Sequence, residues 1–226
     1  MKLPAPAVDY RLLRLHNINS PAFRHVKLLL FWPIFGWLFY YAEQLRDVEN
    51  YTPIYCPLDD CIPFLEIFVL PYLWWFVFLA GIHIYTFFYD VENFKKLMRF
   101  IIISYGLATI IYYVFPNCQE LRPVTFPRDN LLTRFMAAFY AFDTSTNVCP
   151  SLHVIGSLAV MGTAWQCPCF RQARWKIGFF ITAMLISVST VFLKQHSVLD
   201  ILAAVPVCMI AWYFSFSPAK QTAVVT

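Results

Sequence analysis

Hydrophobic residues along the chain gather into six long runs separated by shorter polar segments. The runs cover residues 26–42, 63–89, 97–115, 151–166, 177–193 and 197–216. Most are close to the roughly 20 residues that a helix needs to cross about 30 Å of hydrocarbon, and the fourth run is the shortest. Backbone polar groups in lipid must be bonded within a segment, and the alternation typical of a membrane β-barrel is missing. We therefore predict an all-α integral membrane bundle of six transmembrane helices.

The charges between these runs predict the orientation of the helices. Basic residues precede the first run, flank the start of the third and fill the segment between the fourth and fifth, whereas the segment after the first run is mainly acidic. Lysine and arginine are enriched in cytoplasmic segments. We therefore expect both termini in the cytoplasm, a cytoplasmic lead-in over residues 1–25 and a long outer loop over residues 116–150.

The composition argues against a soluble protein and leaves one domain as the simplest organisation. Hydrophobic residues make up 60% of the 226 residues and charged residues only 13%, which is too few to cover a soluble globule of this size. The net charge of +4 comes from bases between apolar runs, so we expect a membrane partner and no nucleic acid. We predict a single membrane-embedded domain over residues 1–226, in the plasma (cytoplasmic) membrane. The sequence leaves the oligomeric state open.

The chain has seven cysteines, but their spacing does not indicate a zinc site. Cys167 and Cys169 are separated by one residue, not by the two that are common in such sites. The loops that we place outside contain Cys56, Cys61, Cys118 and Cys149. A disulfide among these four is compatible with that location, but the pairing stays open. We expect neither a metal nor another cofactor.

Two short strings contain the residues suited to catalysis. Pro150, Ser151 and His153 open the fourth run, and His196 and Asp200 open the sixth. The predicted fourth and sixth helices cross the membrane in the same direction, so their N-termini lie level at the outer face. This placement brings together two histidines that are distant in sequence.

The first string suits the binding of an anion. Pro150 is of the type expected at the first position of a helix. The free N–H groups and partial positive charge of a helix N-terminus favour phosphate, and the Ser151 hydroxyl adds a donor. Arg122 and Lys194 are the nearest cations for the non-bridging oxygens of a phosphate. We therefore predict substrate-binding roles for Arg122, Ser151 and Lys194.

The histidines suit phosphoryl chemistry. His196 and Asp200 are four residues apart, so they share one face of a helix. Asp200 would fix the tautomer of His196 and leave the other ring nitrogen free to attack. His153 would then protonate the leaving oxygen as a general acid. The sequence thus predicts His153, His196 and Asp200 as catalytic residues.

A structural role is open to each string taken alone. Serine is a common helix cap, and His196 with Asp200 matches an ordinary surface pair. Arg122 and Lys194 could each anchor the chain at the membrane interface. Ionisable residues at membrane depth are costly, however, and two such strings at one membrane face favour the catalytic interpretation.

These strings resemble the motifs of the type 2 phosphatidic acid phosphatase superfamily of integral membrane enzymes. That family has a K-x(6)-R-P string, a PSGH string and an S-R-x(5)-H-x(3)-D string. Arg122-Pro123 match the end of the first, and Pro150, Ser151 and His153 match the second. The third string is matched by Ser189, His196 and Asp200 at the same spacing. The PSLH variant of the second string is similar to the branch shared with inositol phosphorylceramide synthases.

The chain departs from the family pattern at three positions. The lysine of the first string would fall at Phe115, the glycine of the second is Leu152, and the arginine of the third is Thr190. Two cationic phosphate ligands are therefore missing, and Lys194 is a candidate to replace one. The matched strings lie within residues 119–200, and the resemblance covers about the last half of the chain, from the third run onward.

The resemblance implies a metal-independent lipid phosphatase. His196 would attack phosphorus and form a phosphohistidine, His153 would protonate the leaving lipid alcohol, and water would release phosphate. Asp200 would orient His196 throughout. The expected substrate is a lipid phosphate or diphosphate at the non-cytoplasmic face.

Other activities remain open. A lipid phosphotransferase would use the same covalent step with an alcohol acceptor, and a non-catalytic lipid-binding or transport protein could keep the fold. A serine hydrolase using Ser151 with His153 is disfavoured, because residues two apart on a helix do not face each other. A metal site of His153, His196 and Asp200 is an alternative on composition.

Overall fold

The computed structural model describes residues 5–217, and most of this part of the chain is helical. The α-helices are α1 (Phe31–Tyr40), α2 (Leu58–Cys61), α3 (Val69–Tyr89), α4 (Val91–Val114), α5 (Leu131–Phe142), α6 (Leu152–Gln166), α7 (Ala173–Phe192) and α8 (Val198–Phe216). Two short parallel strands, β1 (Thr52–Pro53) and β2 (Asn117–Cys118), link the first loop to the loop before α5. The prediction of an all-α fold is confirmed.

Four helices are long and apolar enough to cross a membrane. They are α3 with the turn that leads into it (Glu66–Tyr89), α4, α7 and α8. The first predicted run forms only the 10 residues of α1, with a 3₁₀ turn before it (Arg24–Leu30) and a π turn after it (Tyr41–Leu45). The fourth run forms the 15 residues of α6. At 1.5 Å per residue α6 reaches about 22 Å, shorter than a full crossing, whereas α1 continues without a break into the turns on either side, so that this helical segment runs from Arg24 to Leu45.

Polar side chains mark where the helices begin. Asp90 separates α3 from α4 and accepts a hydrogen bond from the backbone N of Asn93. Asn130 caps α5, and its side chain accepts from the backbone N atoms of Leu132 and Thr133. Asparagine and aspartate are favoured at these positions because they satisfy N–H groups that have no partner within the helix. Helix α5 lies within the segment that the sequence predicts as an outer loop.

The core forms around α4 and α6. Tyr105 and Tyr112 of α4 are fully buried, and Ile155 and Ala159 of α6 have no exposed surface. Gly156 lets the neighbouring helices approach closely, because a Cβ atom there would lie 2.9 Å from both Trp75 Nε1 and the Tyr105 hydroxyl. Small residues on α6 therefore bring the aromatic side chains of α3 and α4 against its first two turns.

Candidate active site

The segment before α6 is fixed by hydrogen bonds from several elements. The Tyr112 hydroxyl donates to the Pro150 carbonyl at 2.6 Å, and the backbone N of Ser151 donates to the backbone carbonyl of Asp200 at 3.1 Å. The helix begins at Leu152, with Ser151 in extended conformation at the cap position. The prediction of Pro150 at the first helical position is therefore wrong by two residues, because Ser151 adopts an extended backbone and delays the helix.

Ser151 does not act as an ordinary helix cap. Its side chain makes no capping hydrogen bond. The Ser151 hydroxyl is buried and has no hydrogen-bond partner within residues 5–217. A buried hydroxyl without a partner is unfavourable unless another group satisfies it. Ser151 is not, however, among the residues that line the cavity described below.

The start of α8 holds the second histidine. Ser197 and Asp200 form a capping box, in which Asp200 Oδ2 accepts from the backbone N of Ser197 at 3.0 Å. The same Oδ2 atom lies 3.0 Å from His196 Nδ1. Asp200 is completely buried, and His196 is 8% exposed. The carboxylate thus occupies Nδ1 and leaves Nε2 as the nitrogen available for chemistry.

The first loop stabilises this helix start from outside. Asp59 of α2 is almost fully buried, and its carboxylate accepts from the Ser197 hydroxyl at 2.6 Å and from the backbone N of Val198 at 2.8 Å. A third hydrogen bond comes from the backbone N of Cys56 at 2.8 Å. Burial raises the pKa of Asp59, but the hydrogen bonds from Ser197, Val198 and Cys56 outweigh it and hold the pKa below its ordinary value.

Lys194 takes part in the same contact between the first loop and α8. Its Nζ atom donates to the Asp59 backbone carbonyl at 2.6 Å. Lys194 is also one of two non-glycine residues with a positive φ within residues 5–217, at 52°. The side chain is therefore directed to the first loop, and Lys194 is not among the residues that line the cavity described below.

The two histidines lie close together. The ring centroids of His153 and His196 are 6.0 Å apart, with an angle of 63° between the planes. Tyr72 stacks on His153 with centroids 4.2 Å apart, and Trp75 contacts the same ring at 4.4 Å. His153 Nε2 is buried and has no hydrogen-bond partner within residues 5–217. Two aromatic rings of α3 therefore fix the His153 ring without using that nitrogen.

Both histidines line a cavity of about 290 Å³. Half of the residues in its wall are phenylalanine, tyrosine or tryptophan, from α1, α3, α4 and α5. These residues are Trp32, Phe35, Phe39, Tyr72, Trp75, Phe76, Tyr105, Tyr112, Phe139 and Phe142. The polar part of the wall includes the carboxylates of Glu43 and Asp143 but, within residues 5–217, no lysine or arginine. The cavity thus combines an apolar wall with imidazoles and acids.

Glu43 is held in this wall by side chains of the outer loop. Its carboxylate accepts from Asn147 Nδ2 at 2.6 Å and from the Thr146 hydroxyl at 3.1 Å, and it contacts the Thr144 hydroxyl. Burial raises the pKa of Glu43 to about 7, although the hydrogen bonds from Asn147 and Thr146 act in the opposite direction. Glu43 therefore titrates near neutral pH.

Arg122 is used mainly to hold the outer loop together. Its guanidinium donates to the backbone carbonyls of Tyr140, Asp143 and Thr144 at 3.2, 2.8 and 2.9 Å. It also donates to Asp143 Oδ2 at 3.0 Å and to Gln195 Oε1 at 2.6 Å. Asp143 and Gln195 both line the cavity. Arg122 itself does not line the cavity, but it holds the Asp143 and Gln195 side chains that do.

The predicted site residues thus fall into two groups. His153, His196, Asp200 and Ser151 come together at the adjacent starts of α6 and α8. Arg122 and Lys194 lie nearby but donate to protein oxygens. Within residues 5–217, no group of three or more histidine, cysteine, aspartate or glutamate side chains is arranged to hold a metal ion.

Four residues of the site, Tyr72, Trp75, Glu43 and Asp59, were not predicted from the sequence. Asp59 lies two residues after Pro57 in a short acidic turn, but nothing in the spacing indicates that it reaches α8. Tyr72 and Trp75 are three residues apart, the spacing of one helix face, yet the aromatic content of the second run hides that signal.

Comparisons of the chain with protein-family models, curated proteins and solved structures found no match.

Proposed function

We propose that this protein is a membrane-embedded lipid phosphatase that acts through a phosphohistidine, on the pattern of the type 2 phosphatidic acid phosphatase superfamily. The observation that carries the proposal is the pair of histidines at one cavity, with ring centroids 6.0 Å apart and Asp200 behind His196. A reacting phosphorus lies about 3–3.5 Å from its nucleophile, and its leaving oxygen within hydrogen-bond reach of an acid. The separation of the rings suits one phosphorus centre between them.

The proposed reaction has two steps. His196 Nε2 attacks phosphorus, the bond from phosphorus to the lipid oxygen breaks, and protonated His153 gives its proton to that oxygen. Water then attacks the phosphohistidine, His153 accepts a proton from the water, and inorganic phosphate leaves with His196 restored. Asp200 stabilises the positive charge that develops on the His196 ring in the first step.

The phosphate oxygens need donors, and the start of α6 offers them. The first N–H groups of a helix have no partner within the helix and carry a partial positive charge. The Ser151 hydroxyl has no partner within residues 5–217, but it does not line the cavity, so it would have to turn towards the phosphate to donate to it. A phosphate group there would satisfy these donors, as expected for an anion at a helix N-terminus.

The membrane placement of the site is part of the proposal. Six membrane crossings, with α1 and α6 as the shorter ones, would put both termini in the cytoplasm and the starts of α6 and α8 at the non-cytoplasmic face of the plasma membrane. The aromatic side chains of α1 in the cavity wall, Trp32, Phe35 and Phe39, would contact the upper part of an acyl chain. The substrate would enter from the lipid phase with its phosphate towards the histidines.

The test is release of phosphate from a panel of lipid phosphates by purified protein in detergent. We expect His196→Ala to lose at least about 10³-fold in kcat, as is usual when a nucleophile is removed. His16→Ala is the matched control, since His16 is exposed in the lead-in, and its activity should be unchanged. A loss below tenfold in His196→Ala would remove His196 from the proposed role.

A lipid phosphotransferase is the second candidate, and the charge of the cavity wall favours it. A phosphomonoester carries close to two negative charges at neutral pH, whereas a phosphodiester carries one. Glu43 is partly ionised near neutral pH and Asp143 is paired with Arg122, so the negative charge that remains in the wall would repel the monoester more strongly than the diester. Following a labelled phosphorus atom separates the two activities, because a phosphatase yields inorganic phosphate and a phosphotransferase yields a second lipid.

A further inference from the structure

A second cavity, of about 490 Å³, lies between the turn that precedes α1 and the first half of α4. Four cationic side chains line it: Arg24 and Lys27 from the turn, and Lys95 and Arg99 from α4. We refer to these four residues and the cavity between them as the basic groove. The groove lies far from the histidines, since Tyr112, which contacts Pro150, is 13 residues beyond Arg99 on α4, or about 20 Å along the helix.

The fold places these like charges together from two separate elements. Lys95 and Arg99 are four residues apart on one face of α4, and Arg24 and Lys27 are three apart on the turn. Like charges at these spacings destabilise a helix, and bringing two such pairs to one cavity adds to the cost. A bound anion would attract all four cations and so replace this repulsion by a net attraction.

One carboxylate, Glu92, compensates part of these charges, and it acts on Arg24 as well as on Lys95. Lys95 Nζ pairs with Glu92 at 2.6 Å, and Lys27 Nζ donates to the neutral Asn19 side chain at 2.6 Å. Within the described residues, Arg99 donates only to the Phe214 backbone carbonyl, at 3.4 Å. Within residues 5–217 the Arg24 guanidinium has no hydrogen-bond partner, and both arginines are exposed. Two guanidinium groups are therefore available to a ligand.

His25 does not contribute a further charge. It lines the groove and is almost fully buried, with Nε2 at 2.8 Å from the Tyr10 hydroxyl. Burial lowers the pKa of His25, and the nearby charge of Lys95 lowers it further, so the ring is neutral near pH 7. The permanent cations of the groove are thus the two arginines and two lysines.

The remaining wall of the groove is apolar. Leu28 comes from the turn, and Ile102 and Ile103 lie one turn beyond Arg99 on α4. Cations at one end and aliphatic side chains at the other match a headgroup with an attached acyl chain. Basic pockets between membrane helices bind anionic lipid headgroups in this manner, and arginine suits phosphate because its fork donates two parallel hydrogen bonds.

We propose that the basic groove is a binding site for a group with two or more phosphate charges, such as the headgroup of a polyphosphorylated lipid. The site is separate from the histidine cavity and does not depend on the reaction proposed there. Arg24 and Arg99 bind the phosphates directly, the two lysines add long-range attraction, and Leu28 and Ile103 contact the first carbons of the acyl chain.

The experiment compares two pairs of exposed arginines in the full-length protein. Wild type, Arg24→Gln/Arg99→Gln and the matched control Arg171→Gln/Arg174→Gln are placed in phosphatidylcholine nanodiscs with or without a fluorescent phosphatidylinositol bisphosphate. Each cation near a lipid headgroup contributes about fivefold in affinity, so the groove pair should weaken binding about 25-fold, and the control pair less than about fivefold. A second arm measures the binding of inositol trisphosphate in solution, which shows whether the site requires a lipid or also accepts a soluble phosphate compound.

Each outcome decides the proposal. If only the groove variant loses affinity for the lipid, the result supports the site. If inositol trisphosphate also binds as tightly as the lipid, the ligand of the site is a soluble phosphate compound. Equal loss in both pairs indicates general surface attraction and overturns the proposal, as does absence of binding by wild type. If the groove pair fails to fold, Arg24→Gln alone replaces it, because Arg24 has no hydrogen bond to lose within residues 5–217. That variant should then bind about fivefold more weakly than wild type.

Discussion

The carboxylate of Asp59 accepts a hydrogen bond from the Ser197 hydroxyl at 2.6 Å, which joins the first loop to the start of α8 next to His196. Asp59→Asn removes the charge and turns an N–H donor towards the backbone N of Val198. A buried hydrogen bond lost in this way costs about 1–3 kcal/mol. We expect a lower thermal unfolding midpoint and at least a tenfold lower kcat, because His196 loses its support.

The exposed neighbour Asp60 supplies the control for this prediction. Asp60→Asn should leave both the unfolding midpoint and kcat near wild type, since the exposed Asp60 carboxylate accepts, among the described residues, a side-chain hydrogen bond from the Tyr55 hydroxyl alone. The stabilisation by Asp59 also depends on pH. Because its pKa is held below the ordinary value, the contribution is complete above about pH 4 and is lost as the pH falls through the lower folded-state pKa. An Asp59→Asn variant as stable and active as wild type at pH 7 would contradict this role.

Tyr72 is predicted to position His153 through its ring and not through its hydroxyl. The two rings stack with centroids 4.2 Å apart, and within residues 5–217 the Tyr72 hydroxyl has no hydrogen-bond partner. Tyr72→Phe keeps the stack, so kcat should stay within about threefold of wild type. Tyr72→Ala leaves a cavity beside His153, and a displacement of about 1 Å at a reacting group can cost about 10²-fold. Equal kcat values for the two variants would show that the stack has no part in catalysis.

Arg122 is predicted to act on stability as well as on activity. Lysine cannot reproduce a planar fork that donates to Asp143, Thr144 and Gln195 together. Arg122→Lys should therefore lower the free energy of unfolding by about 1–3 kcal/mol, measured by chemical denaturation in detergent, and also reduce activity. If Arg122 served only as a phosphate ligand, KM would rise while the unfolding free energy stayed the same. The control is Arg134→Lys, an exposed arginine paired with exposed Asp129.

Glu43 should make stability depend on pH near neutrality. Its pKa of about 7 in the folded protein lies above the ordinary value, so the folded state binds the proton more tightly than the unfolded state. The free energy of unfolding should therefore fall as the pH rises from about 4.5 to about 7 and then level off. Glu43→Gln should remove this slope, whereas Glu49→Gln, at an exposed position, should keep it. An identical pH profile in Glu43→Gln would refute the assignment.

The sequence was sufficient for features that follow from regular periodicity. The apolar runs predicted the long helices within a few residues at most ends, because hydrophobic length and capping residues are local signals. The spacing of four between His196 and Asp200 predicted their contact, and the parallel direction of two runs predicted that His153 would lie beside them.

Features that depend on long-range contacts could not be predicted in this way. The position of Asp59 against α8 is set by the packing of α2, and the pairing of β1 with β2 joins segments that are far apart in sequence. Arg122 and Lys194 were predicted as phosphate ligands because they are cations near the strings. Sequence alone does not show that backbone carbonyls of neighbouring loops accept their hydrogen bonds.

The central claim is that His196 carries the phosphoryl group during turnover, and direct detection of that bond tests it. Purified protein is mixed with a lipid phosphate labelled at phosphorus, quenched under alkaline conditions and digested for mass spectrometry. We expect an acid-labile, base-stable phosphate on His196 in wild type and none in His196→Ala. Turnover of the substrate with no phosphate on His196, or with a base-labile phosphoester on Ser151 instead, would contradict the account.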